Sequence, residues 1–211
     1  MADSHGKGGT IRIIAGHWKR YRLRVPDVPG LRPTPDRVRE TLFNWLGDRI
    51  CGMRCLDLFA GSGALGFEAA SRGAAEIVFV EWHKDAVKDL EAGAHALINR
   101  DARPRPGMLS KIIPGGTPKI TILHSDALRY LMKSSAGPFD MVFLDPPFDS
   151  DLLETACRLL DNGRWLGETT GIYLEMRRFS PQPALPAGWA VTHSAMAGEI
   201  RYALAHGVMI A

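Results

Sequence analysis

Asp145-Pro146-Pro147-Phe148 sets an acid, two rigid residues and an aromatic in a row after the apolar run 139–144. Each proline has a fixed φ and no N–H, so the turn is stiff and presents carbonyl oxygens with few competing donors. An ionised Asp145 only accepts, and Phe148 offers a flat face to a planar group. Together they suit a nucleophilic amino group on a planar base or amide. Read alone, the four residues also describe an ordinary turn after a strand.

A second motif lifts that reading. Asp57-Leu58-Phe59-Ala60-Gly61-Ser62-Gly63-Ala64-Leu65-Gly66 contains a GxGxxG, and Glu81 follows Gly61 by twenty residues. Glycines let a ligand approach backbone at a helix N-terminus, and a carboxylate at the end of the next strand can accept from both hydroxyls of a ribose. NAD and S-adenosylmethionine both carry a ribose, so the spacing leaves both open. Two features favour the methyl donor. Asp57 opens the motif from inside the strand, and the polar corner Ser125-Asp126, continued by Ala127, can hold an adenine amino group. The proline corner, moreover, supplies no hydride chemistry.

Positioning these residues takes strands alternating with helices. Strand-like runs at 54–59, 77–80, 120–123 and 141–144 are separated by helix-like runs from the glycine loop to about Arg72 and from Lys84 to about Asn99. Such alternation means βαβ units and a parallel sheet, whose ligands collect at the strands' carboxyl ends. Gly61, Glu81, Asp126 and Asp145 all fall there. A helix over 151–160, a fifth strand over 171–176 and two further strands, 189–194 and 200–210, complete the pattern. The last two are expected to form a terminal antiparallel hairpin around Ala197-Gly198. The stretch 103–118 reads as an aperiodic loop.

The N-terminal quarter differs in charge. Residues 1–54 carry 11 Lys/Arg against 5 Asp/Glu, an excess of +6, while the remainder nets −3. After a polar tail, 1–9, expected to be disordered, segments 10–15 and 21–25 alternate like a β-hairpin. Its Arg12, Lys19, Arg20, Arg22 and Arg24, with Trp18 and Tyr21 interleaved, can hold phosphates and stack on bases. An arginine-covered, half-buried hairpin is the other reading. Arg32-Pro33-Thr34-Pro35 then stiffens the chain into a helix with Thr34 as N-cap and Pro35 first. Val38, Leu42, Trp45 and Leu46 share one face of that helix, and Arg32, Arg37 and Arg39 lie off it.

At 211 residues and 45% apolar, the chain suits one α/β domain with a small appendage. The expected division is a tail 1–9, an extension 10–50 and a main domain 51–211. Its longest apolar stretches are strand-sized and no signal-peptide core stands at the N-terminus, so a cytoplasmic location is expected. Cys51, Cys55 and Cys157 lack CxxC or Cys/His spacing, which points to reduced thiols and neither disulfides nor zinc. Nothing demands more than a monomer.

The chain resembles the RsmD family, bacterial S-adenosylmethionine-dependent methyltransferases that modify the exocyclic N2 of a guanine in 16S ribosomal RNA. The likeness is carried by Arg12-Ile13-Ile14-Ala15-Gly16, Leu31-Arg32-Pro33-Thr34, Asp36-Arg37-Val38-Arg39-Glu40, Asp57 to Gly63, Phe79-Val80-Glu81 and Asp145 to Phe148. The Arg-Pro-Thr segment and the helix after it are its specific part. It implies a class I, Rossmann-like α/β fold: a mostly parallel sheet with a C-terminal antiparallel hairpin, preceded by a β-hairpin and helix that face RNA. It also implies S-adenosylmethionine held by Asp57, Phe59, Gly61, Gly63, Glu81, Asp126 and Ala127, and catalysis by Asp145, Pro146 and Phe148 without a metal. The 16S rRNA, in the small ribosomal subunit or its precursor, would meet Arg12, Lys19, Arg20, Arg22, Arg32 and Arg37. Two departures stand out: 103–118 is longer than the family pattern, and the far C-terminus matches loosely. Rival readings are a DNA adenine or protein glutamine amino-methyltransferase, and an RNA-binding assembly factor without turnover.

Overall fold

The computed structural model describes residues 9–101, 116–133, 136–148 and 150–207. Most of the expected tail 1–9 and of the loop 103–118 therefore lies outside the described residues. Two short strands, β1 (Thr10–Arg12) and β2 (Arg22–Arg24), pair antiparallel as the N-terminal hairpin, and helix α1 (Asp36–Leu46) follows. The main sheet alternates with helices in the order β3 (Arg54–Asp57), α2 (Ala64–Ser71), β4 (Glu76–Glu81), α3 (Lys84–Asp101), β5 (Lys119–His124), α4 (Ala127–Leu131) and β6 (Phe139–Leu144). Helix α5 (Leu152–Asn162) and strands β7 (Leu166–Arg177), β8 (Trp189–Ala197) and β9 (Ile200–Gly207) complete it.

Seven strands form one sheet in the order β5-β4-β3-β6-β7-β9-β8. The first five run parallel, and β9 and β8 are added antiparallel. This is the mixed sheet and terminal hairpin of a class I Rossmann-like fold, as the sequence pattern predicts. Strand order runs outward from β3 in one direction and from β6 in the other, so a crevice opens between their carboxyl ends.

Alternation along each strand distributes side chains to two cores. Cys55, Phe79, Phe143 and Tyr173 point to the face covered by α1, α2, α3 and the hairpin; Leu56, Val80, Leu144 and Leu174 point to the face covered by α4 and α5. Residues 10–50 share the first core with the sheet: Ile13, Leu23, Leu42 and Phe43 are buried in it, and the Phe43 and Phe143 rings lie 6.2 Å apart. Trp45 is half-buried, stacked between His193 and Tyr202 at 5.3 and 5.4 Å. No helix among the described residues is long and apolar enough to cross a membrane.

Three expectations for the extension are corrected. Trp18 does not stand ready to stack on a base: it is 2% exposed and packs into the first core. Burying a large apolar side chain stabilises by roughly 1.5–3 kcal/mol, which explains its place. Arg39 is not on a solvent face either, being 1% exposed. Its guanidinium reaches Glu68 at 3.4 Å, Asp36 at 2.6 Å and the Arg12 carbonyl at 3.0 Å, while Nε donates to the Thr34 carbonyl at 3.2 Å. Thr34, finally, does not cap α1. Pro35 occupies the N-cap position and no side chain caps the helix. The Thr34 side chain is turned instead toward an acceptor outside the helix, described below.

Candidate active site

The glycine loop is held from both ends. Oδ2 of buried Asp57 accepts from Gly66 N at 3.0 Å, Gly63 N donates to the Ala60 carbonyl at 2.7 Å, and Gly61 N donates to Glu81 Oε2 at 2.7 Å. His83 N fixes the other Glu81 oxygen at 2.7 Å. Glycine is required for different reasons along the loop. Gly63 has φ of 73°, and a Cβ there would meet Phe67 and Leu90 at 2.6 Å; a Cβ on Gly66 would meet Phe79 at 2.2 Å. The third glycine therefore lets the helix lie against β4.

Three of the loop's N–H groups are already engaged. A pyrophosphate needs free N–H groups at the loop and helix N-terminus. Here Gly61 N and Gly63 N are already used, and a carboxylate occupies Gly66 N. The carboxylates of Asp57 and Glu81 flank the loop, and Glu81 offers acceptors that suit hydroxyl groups. Each Glu81 oxygen accepts one amide N–H and keeps a further lone pair that can take a hydroxyl. Trp82, immediately after it, is 67% exposed. It was missed in the sequence, where the signal is simply an aromatic after the strand-end acid.

Asp126 begins α4, its Oδ1 accepting from Arg129 N at 2.8 Å, and it remains exposed with its second oxygen available. Ala127 is buried and Phe59 half-buried against the second core. The five residues of α4 are too few for periodicity to reveal.

Across the crevice, Asp145 follows the last residue of β6, Leu144. Oδ2 of Asp145 accepts from the Thr34 hydroxyl at 3.0 Å, which draws that side chain toward the crevice and not back onto the start of α1. Pro146 is buried, while Phe148 is 37% exposed. Ser150 Oγ donates to the Pro147 carbonyl at 2.6 Å and closes the turn. Continuing the parallel register Phe143↔Tyr173 and Leu144↔Leu174 by one step sets Asp145 beside Glu175. Tyr173 donates its hydroxyl to Glu175 Oε2 at 2.7 Å. A cleft lined by Pro146, Phe148, Leu153, Glu175, Met176 and Pro183 opens there. Glu175, the second acid of this corner, reads in the sequence only as the end of the fifth strand, because the β6–β7 register alone brings it beside Asp145.

Burial dominates the electrostatics. It pushes the Asp57 carboxyl up to about 7, with the Gly66 N–H opposing and the charges of Asp145 and Glu81 adding. Burial likewise raises Asp145, against the Thr34 hydrogen bond, and raises Glu175, with the Asp145 charge adding and the Tyr173 hydroxyl opposing. Clustered acids with raised affinity for protons at a sheet's carboxyl edge mark a site that expects donors from a ligand.

The basic candidates spread over the extension's surface. Lys19, Arg20, Arg22, Arg32 and Arg37 are exposed. Arg12 is exposed too, but its Nε donates to Asp36 at 2.8 Å. Arg24 lies 3.7 Å from Asp89.

Comparison with known proteins agrees with this architecture. The model of a family described as Conserved hypothetical protein 95 matches residues 11–206. The ribosomal RNA small subunit methyltransferase D of Escherichia coli K12 is 40% identical over 95% of this chain and 92% of its own. Among solved structures, the Escherichia coli protein yhhF superimposes with a TM-score of 0.80 at 36% identity, covering 95% of this chain and 99% of its own. A Thermus thermophilus 16S rRNA N2 G1207 methyltransferase, solved with AdoMet and guanosine, shares the fold at a TM-score of 0.64 and 21% identity, covering 94% of this chain and 50% of its own. By the extent of the family match and the identity to the Escherichia coli enzyme, the chain belongs to the RsmD family of ribosomal RNA small subunit methyltransferases.

Proposed function

We propose that this protein transfers a methyl group from S-adenosylmethionine to the exocyclic N2 of a guanine in 16S rRNA, within the small ribosomal subunit or its precursor. The observation that carries this reading is the position of Asp145-Pro146-Pro147-Phe148 at the strand-order switch, opposite a glycine loop flanked by the Asp57 and Glu81 carboxylates. When bound, S-adenosylmethionine supplies a sulfonium carbon open to direct, in-line attack by nitrogen. Glu81 would hold the ribose hydroxyls, Asp126 the adenine amino group, and Trp82 a face of the adenine. The glycine loop, with Asp57 behind it, Phe59 beside it and Ala127 closing the adenine corner, would shape the rest of that pocket.

The guanine N2 lone pair is delocalised into the ring, which makes it a poor nucleophile. Asp145 and the Pro146 carbonyl would accept its two hydrogens, draw the nitrogen toward a tetrahedral shape and aim its lone pair, so that catalysis is mostly positioning. Asp145 would then take the proton released after transfer. Phe148 would stack on the base, which must leave any pairing to enter the cleft. Arg12, Lys19, Arg20, Arg22, Arg32 and Arg37 would hold RNA phosphates.

Transfer of labelled methyl groups to small subunits lacking the modification, followed by nucleoside analysis, tests this reading. N2-methylguanine formed by the wild-type protein and lost with Asp145→Ala is the expected result. Label in adenine or in protein would redirect the substrate assignment. Binding of S-adenosylmethionine and RNA without any transfer would replace the enzyme by an assembly factor.

A further inference from the structure

Thr34 lies between two prolines, 111 positions before the acid its hydroxyl touches. A residue preceding proline is confined to extended backbone, and the flanking rings restrict it further. The segment is also fastened from behind. Arg39 Nε holds the Thr34 carbonyl, and the rest of its guanidinium is fixed by Asp36, Glu68 and the Arg12 carbonyl. Thr34 is buried, so its hydroxyl is aimed in advance. Threonine just before a helix ordinarily caps it. Here the helix start is left without a side-chain cap and the hydroxyl goes to Asp145.

We propose that Thr34 is a positioning residue for methyl transfer: its hydroxyl holds Oδ2 of Asp145, leaving Oδ1 for the acceptor amino group. The inference rests on Asp145 receiving the amino protons, as proposed above. The orienting donor thus comes from the extension that carries Arg32 and Arg37, and not from the sheet. Among the described residues it is the one side-chain hydrogen bond to Asp145. The other groups facing this carboxylate are Asp57 on β3 and Glu175 and Tyr173 on β7, all of which lose a proton to become charged. Burial favours protonated Asp145 and the Thr34 hydroxyl opposes it, while the charge of Asp145, once formed, raises all three neighbours.

The test compares pH–rate profiles of wild type, Thr34→Val, Thr34→Ser and Asp145→Asn on small subunits lacking the methyl group, with S-adenosylmethionine affinity measured for each. Thr34→Val keeps that affinity within about twofold but lowers kcat roughly 10- to 100-fold, as loss of alignment does. Its acid limb moves to higher pH, so the deficit is larger near about pH 6.5 than near about pH 8.5. Thr34→Ser restores most of the rate. Should Thr34→Val fail to bind S-adenosylmethionine, Thr34→Ala is measured in its place. Wild-type kcat and acid limb in the hydroxyl-less variant, with Asp145→Asn inactive, would overturn the role of Thr34 alone. Full activity of Asp145→Asn would instead overturn the reading of Asp145 on which it stands.

Discussion

Glu68 and Glu175 are both buried acids, but their surroundings are opposite. Glu68, 0% exposed, receives Arg39 and Arg72 together with the backbone N–H groups of Ile14 and Ala15 at 2.8 and 3.0 Å. Glu175 receives the Tyr173 hydroxyl and faces the charge of Asp145. A buried carboxylate stays ionised cheaply only when fixed donors and cations replace its water. The first acid is fully compensated and ties the hairpin, α1 and α2 together. The second corner is left short of donors, and it lies where a substrate amino group would supply them. Compensation thus distinguishes an architectural acid from one kept for a ligand.

This contrast is sharpest with Asp145→Ala against Glu68→Ala. The first should reduce turnover by on the order of 10²–10⁴-fold while leaving S-adenosylmethionine affinity and melting temperature nearly unchanged. Glu68→Ala should act on folding, costing about 3–5 kcal/mol because buried Arg39 would lose one of its two carboxylates and the Ile14 and Ala15 N–H groups their acceptor. At this chain length that is a drop in Tm of roughly 6–20 °C, read by calorimetry. An Asp145→Ala protein that melts as early as Glu68→Ala would erase the distinction.

Glu175→Gln probes the under-compensated side through pH. A carboxyl whose folded-state pKa is raised contributes stability at low pH that is lost as pH rises through that value. Glutamine has no proton to lose, so the variant should gain on wild type between about pH 5 and about pH 9, by at least about 1.4 kcal/mol, the equivalent of one pKa unit. Denaturant titrations at both ends measure it, and a pH-independent difference would contradict the assigned electrostatics. The smallest effect is expected on the outer surface. Replacing Arg20 and Arg22 should weaken RNA binding across sequences and reduce the salt slope by about one for each phosphate contact removed. An unchanged slope would remove the hairpin from the RNA footprint.

Much of the scaffold was legible because parallel strands buried on both faces are short apolar runs and the intervening helices repeat at their own period. Glu81 and Asp145 could be placed at strand ends from the sequence, since an acid closing an apolar run sits where the strand leaves the core. Boundaries were less legible. β7 begins at Leu166, five residues before the expected 171, because its first turn of sequence, Gly167 to Thr169, is exposed and lacks the apolar signal.

The local chain by itself determined the order of strands and helices, the glycine loop and the proline corner, all of which depend on neighbours within a few residues. Only the tertiary structure decided the company those residues keep. Thr34 could cap its own helix or reach Asp145, and nothing nearby in sequence chooses between them; the packing of α1 over the sheet does. Arg39 reads as a surface cation until Glu68, 29 positions away, is folded onto it. Glu175 joins Asp145 only through strand register. A hydrogen bond is satisfied by whichever partner the fold brings within reach, so its choice is a property of the whole chain.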